Sequence, residues 1–100
     1  MPGHAFQGTI PADHPVLQGH FPGAPVVPGV VILDRVEQAI RDWLPAARIA
    51  RIVECKFLTP LRPEQTFGVE LTRNGDWVRF ECRTAQALFA SGVIQLGGGT

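Results

Sequence analysis

A chain of 100 residues is about one small domain, burying roughly 60 to 70 per cent of the surface its unfolded form exposes. Its 45% hydrophobic and 18% charged residues suit a core-forming protein and exclude disorder. Nine basic and nine acidic side chains cancel, so the concentrated positive field that would make nucleic acid a main partner is missing.

The first candidate element is a strand at AFQGTI, residues 5 to 10, which alternates loosely and stops at Pro11. Residues 12 to 27 hold too much proline and glycine for regular structure and read as an ordered loop. Pro28 and Gly29 then open a helix that reaches about Leu44 and ends at Pro45, since proline lacks the donor an interior turn needs. Leu33, Val36, Ile40, Trp43 and Leu44 recur at three- and four-residue spacing and predict its core face. Beyond the helix the period changes to two, predicting strands near 48–59, 66–73, 76–84 and 87–96. Asn74-Gly75 is a type I′ hairpin signal that sets Val69 and Leu71 facing Val78 and Phe80. The terminal GGGT is expected to fray.

This order predicts a single α+β domain over residues 1–100, one long helix lying on a five-stranded antiparallel sheet. One helix cannot cover both faces and both edges of such a sheet, so self-association is expected. No stretch approaches the roughly 18 apolar residues of a membrane span, and MPGHAFQGT carries neither part of a signal peptide; a cytoplasmic protein with no membrane partner is expected. Cys55 and Cys82 fall inside strands without C-x-x-C spacing and read as small buried hydrophobes.

The densest local signal is GHFPGAPVVPGV, residues 19 to 30. Pro22, Pro25 and Pro28 fix φ at three points around His20, an ionisable ring. His20 is either a packing residue of a turn or a general base, which must be held within reach of one proton. Asp34 follows in the second helical turn, about 7.5 Å along the axis from Gly29. Gln38, one turn further, is placed to hold the Asp34 carboxylate by an i, i+4 hydrogen bond. Alone, Asp34 reads as a solvated acid favoured by the helix dipole. The amides of Gly29 and Val30 are orphan donors that suit an oxygen gaining negative charge. A base, an acid and an oxyanion site together match β-elimination next to a carbonyl.

GHFPGAPVVPGVVILDRVEQA resembles the signature of the hot-dog-fold β-hydroxyacyl-acyl-carrier-protein dehydratases of the FabA/FabZ type, and KFLTPLRPEQTF resembles the strand-turn element of that family. The likeness runs from about residue 6 to residue 96. It implies a hydro-lyase converting a (3R)-hydroxyacyl thioester, on acyl carrier protein or coenzyme A, to the trans-2-enoyl thioester, in fatty acid biosynthesis or a related pathway. It implies His20 as base, Asp34 on the departing hydroxyl and Gln38 orienting Asp34. Gly29, with Val30 beside it, would bind the thioester carbonyl; the Val26 carbonyl would fix the His20 tautomer; Phe21 and Pro22 would line the acyl channel. No metal or organic cofactor is implied, and the site lies between the subunits of a homodimer or higher homo-oligomer. Asp34 stands where the FabZ branch has glutamate, and DHPVLQGHFPG looks closer to short dehydratases of aryl-polyene pathways. A hot-dog thioesterase and a non-catalytic acyl-binding subunit of a heteromeric dehydratase are the competing readings.

Other residues point less clearly. His14 with His4 and Asp13 invites a metal reading, but the imidazoles fall on loop and edge positions with no third ligand at helical or hairpin spacing, so no metal is expected. Trp43 and Trp77 read as core or interface anchors. Arg35, Arg41, Arg48, Arg51 and Arg62 read either as a solvated surface or as a dock for an acidic carrier protein.

Overall fold

A computed structural model describes residues 3–15 and 26–97. Strand β1 (Gly3–Gly8) is followed by helix α1 (Gly29–Trp43) and strands β2 (Ile49–Phe57), β3 (Phe67–Asn74), β4 (Trp77–Arg83) and β5 (Leu88–Leu96). The strands form one sheet in the order β1-β3-β4-β5-β2, every neighbouring pair antiparallel. The class and element order match the expectation. β1 starts and ends two residues earlier than predicted, because Ile10 leaves the strand to bury its side chain and accept the Glu64 N–H at 2.7 Å.

The helix buries Val31, Ile32, Val36, Ala39 and Ile40. The expected stripe is therefore rotated: Val36 and Ile40 lie at its centre, while Leu33, Trp43 and Leu44 sit at its margin, partly buried. Small Ala39 lets the helix approach the sheet closely, which favours this face over the bulkier side. Trp43 stacks on the His4 ring of β1, centroids 5.8 Å apart and 10° from parallel, and so closes one end of the core. Beneath α1, Phe67, Phe80, Phe89, Leu71 and Ile94 fill the inner face, with Phe67 and Phe89 edge to face at 5.8 Å.

The β3–β4 hairpin turns on Gly75-Asp76, one residue later than Asn74-Gly75. Only Gly75 has positive φ there (+61°), the sign pattern of a type II′ turn, which requires glycine at its first central position. A turn centred on Asn74-Gly75 would set Leu71 opposite Val78 and Val69 opposite Phe80; with the turn one residue later, Leu71 opposes Phe80, Val69 opposes Cys82, and Val78 opposes Arg73. Inward residues stay inward, because a register change by an even number of residues keeps the face of every side chain.

β2 is an edge strand whose backbone slips register against β5 twice, between Ile49 and Arg51 and between Ile52 and Glu54. Most of it is exposed on both faces, including Ile52 and Val53. Cys55 is partly buried on this strand and Cys82 is fully buried on β4; both are free thiols. Burial first, and then the neighbouring Cys55, push the Cys82 thiol from an ordinary 9.0 up to about 12.

Gly92 has no room for a side chain. An added Cβ would collide with the Glu54 carbonyl of the adjacent strand and lie 2.6 Å from Phe80 Cζ in the buried core. Neither neighbour can yield, so Gly92→Ala is expected to cost about 3 kcal/mol or more, read as a fall in urea midpoint. The Cys82 shift carries a pH signature. Between about pH 9 and 12 the unfolded chain releases this proton while the folded chain keeps it, so stability falls as pH rises through that window. With no tyrosine and with Lys56 the single lysine, few other groups titrate there. Moving from about pH 8.5 to 10.5 should lower the unfolding free energy by roughly 1 to 2 kcal/mol. In Cys82→Ala the slope should be visibly flatter; equal slopes would contradict this account.

Candidate active site

Pro28 occupies the N-cap of α1 with extended backbone, offers no side-chain acceptor, and is followed by no acid in the first turn. The Val31 and Ile32 amides both turn back to the Pro28 carbonyl, at 3.0 and 3.4 Å. Gly29 and Val30 are thus the first two donors of the helix, and among the described residues nothing accepts from them. Omitting a capping side chain forgoes about 1 kcal/mol, while the helix dipole concentrates positive potential at these two N–H groups.

A cavity of about 570 Å³ opens at this point. Residues 26–30 and Ile32 form one wall and residues 57–61 the other, and the surface is chiefly apolar. Two backbone hydrogen bonds frame it: Val27 N–H donates to the Leu61 carbonyl at 2.7 Å, and Leu58 N–H donates to the Phe89 carbonyl at 2.8 Å. Val30, Phe57 and Leu58, all in the lining, expose 67%, 49% and 52% of their surface. The Phe57 ring lies over Gly29, so that a Cβ added there would fall 2.6 Å from Phe57 Cζ. Glycine at this position therefore answers two demands, an accessible amide and a seat for the ring.

Of the residues singled out in the sequence, Gly29 and Val30 form the open helix start, and Val26, half buried, lines the cavity. Asp34 is exposed one turn beyond Val30 on the same side of α1, outside the cavity lining. Gln38 does not hold it: the Gln38 amide donates to Asp42 Oδ1 at 3.2 Å. Asp34 and Asp42 stand four residues to either side of Gln38 at equivalent helical spacing, and the amide takes Asp42. His20, Phe21 and Pro22 lie outside the described residues. Among the described residues no three of His, Cys, Asp and Glu gather into a metal-binding group.

Sequence reasoning gave no site role to the second wall, Phe57 to Leu61. The available signal was Phe57-Leu58, two large apolar residues where the period-two pattern of β2 stops, followed by Pro60.

Residues 3–93 match the family model described as ApeI-like, ApeI dehydratase. The 3-hydroxyacyl-[acyl-carrier-protein] dehydratase FabZ of Rhodopseudomonas palustris (strain TIE-1) is 32% identical over 77 aligned positions, covering 67% of this chain and 51% of that protein. The FabZ of Chlamydia trachomatis serovar D is 48% identical over 105 aligned positions, covering 91% of this chain and 66% of that protein. The chain thus spans about half to two thirds of the length of these curated relatives. Among solved structures, the dehydratase heterocomplex ApeI:P from Xenorhabdus doucetiae superposes with a TM-score of 0.84 at 26% identity, over 94% of this chain and 86% of that one. The architecture, one helix against a five-stranded antiparallel sheet, is the hot-dog fold.

The contact between Gly29 and Phe57 is measurable. Phe57 is half exposed and its ring is the far end of a flexible side chain, so Gly29→Ala should swing the ring aside and leave the backbone in place. Alanine's better helix propensity offsets part of the cost, and the single substitution should change stability by less than about 1 kcal/mol. A double-mutant cycle of Gly29→Ala with Phe57→Ala, read by urea unfolding, should give a coupling of roughly 1 kcal/mol. Strict additivity would show that the two residues do not touch.

Proposed function

The chain belongs to the ApeI-like dehydratase family, and from that premise we propose that it dehydrates a (3R)-hydroxyacyl thioester to the trans-2-enoyl thioester, acting as a cytoplasmic hydro-lyase. The observation that carries this reading is the uncapped start of α1, where the Gly29 and Val30 amides open onto an apolar cavity of about 570 Å³ with Asp34 one turn away. Such a site accepts an acyl chain with a carbonyl at its head. Negative charge that develops on the thioester oxygen falls at the positive end of the helix dipole, where fixed donors stabilise it without reorganisation.

In the proposed sequence His20 removes the α-proton, breaking the Cα–H bond, and the electron pair moves onto the thioester oxygen held by Gly29 and Val30. The enolate then collapses, Cα=Cβ forms, and the β-hydroxyl leaves with a proton from Asp34 as water. The Val26 carbonyl fixes the tautomer of His20, and Phe21 and Pro22 line the channel with the cavity walls. The step needs no metal or organic cofactor, because two side chains and two amides carry every proton and charge. The thioester arrives on the phosphopantetheine arm of an acyl carrier protein or on coenzyme A, as the FabZ relatives' names suggest for the carrier.

The active unit is proposed to hold two hot-dog subunits, with His20 of one facing Asp34 of the other. The exposed β2 edge and the apolar Ile52, Val53 and Val30 support it, since an unpaired strand edge with apolar side chains is a template for a second strand. A second copy of the chain is the proposed partner; the heterocomplex composition of the Xenorhabdus relative makes a sister chain the alternative. Of the arginines considered for carrier docking, Arg41 pairs with Glu37 at 3.4 Å and Arg51 donates to Gln95 at 2.8 Å, both at the surface.

Purified without any partner, the native protein should convert a hydroxyacyl thioester to its enoyl product, followed by ultraviolet absorbance. His20→Ala and Asp34→Asn should each lower turnover by about 10²- to 10⁴-fold with thermal unfolding unchanged. Native-like turnover by both variants would refute the assignment, and release of free thiol in place of enoyl product would make the protein a thioesterase.

A further inference from the structure

The cavity at the start of α1 has a rigid frame and one adjustable wall. Its backbone is tied at Val27–Leu61 and at Leu58–Phe89, and Phe57 itself pairs with Ala90 in the sheet. The Phe57 ring is different. It is half exposed, no neighbouring ring locks it among the described residues, and it rests on the one residue of the helix start that has no side chain. Gly29 and Phe57 line the same cavity and the ring lies against the Gly29 Cα, so an acyl group whose carbonyl meets the Gly29 amide lies beside this ring.

Resting on the dehydratase reading above, we infer that Phe57 is a specificity-determining residue: its ring sets how long an acyl chain the cavity accepts beyond the helix start. The occupant is the apolar tail of a thioester. The walls around the two donors are chiefly apolar, which suits a hydrocarbon chain. Shrinking the ring lengthens the accessible channel and enlarging it shortens the channel. Chain-length preference therefore follows the size of residue 57 in both directions, which a merely structural role would not produce. Each methylene added or lost in an apolar pocket changes discrimination by about 10-fold or more, so the effect is large enough to read.

The test uses the full chain in its native assembly and stable thioether probes, S-alkyl pantetheines with butyl, octyl and dodecyl tails, titrated by calorimetry against the native protein, Phe57→Ala, Phe57→Leu and Phe57→Trp. The ratio of dodecyl to butyl affinity is expected to rise about 10-fold or more in Phe57→Ala, to rise less in Phe57→Leu, and to fall in Phe57→Trp. Should Phe57→Ala fail to fold, the leucine and tryptophan variants carry the comparison. Ratios that stay constant across folded variants, or no binding of any probe to the native protein, overturn the inference. If the probes bind in the expected order but the native protein dehydrates no hydroxyacyl thioester, the dehydratase reading falls and the role of Phe57 as the length-setting wall stands.

Discussion

Everything at this site depends on two amides that the helix cannot satisfy for itself. Pro28 brings neither an N–H nor a capping oxygen, and Gly29 and Val30 follow with no acid in the first turn. The topology then delivers the other wall to the same place. A short turn joins α1 to β2, so the strand runs back along the helix; 15 helical residues span about 22 Å and nine strand residues about 30 Å. The last residue of β2 therefore returns to the first residue of α1, and Phe57 meets Gly29. The Val27–Leu61 hydrogen bond closes the same junction one step further out.

The core takes no part in this chemistry. Every buried residue among those described is hydrophobic apart from Gly92, and no described buried side-chain nitrogen or oxygen lacks a partner. Asp34 and Gln38 sit on the exposed flank of α1, opposite the face that holds the sheet. Stability is thus carried by one side of the helix and the proposed acid by the other. Residues on the exposed side can change without opening a cavity in the protein interior.

The element order was legible because each segment carries its own period and its own stop: Pro45 after the helix, a glycine turn between β3 and β4. Which residues of α1 are buried was less legible. Leu33 and Trp43 are as apolar as Ile32 and Ala39, and the choice between them lies in how closely the sheet approaches, a tertiary quantity. The hairpin differed for a similar reason, since Asn74-Gly75 is compatible with two turn placements and cross-strand packing of Leu71 on Phe80 selects one. At the site, backbone features such as Pro28 and Gly29 could be read directly, as local rules govern them. The partner of Gln38 could not, because two acids, Asp34 and Asp42, stand at equal spacing on either side of it and an i, i+4 bond is open to both. Nor could the Phe57 wall, which is 28 positions from Gly29 in the chain and becomes its neighbour only through folding.

The double slip of β2 against β5 bears on what else this protein can join. A flat edge strand with exposed isoleucine and valine is a nucleus for fibrils, in which identical strands stack at a uniform spacing. Residues 49 to 54 of β2 interrupt that uniformity twice, adding local twist and misaligning the outward N–H and C=O groups. A strand shaped this way is a poor unit for an endless ladder, so the irregularity works against uniform edge-to-edge stacking.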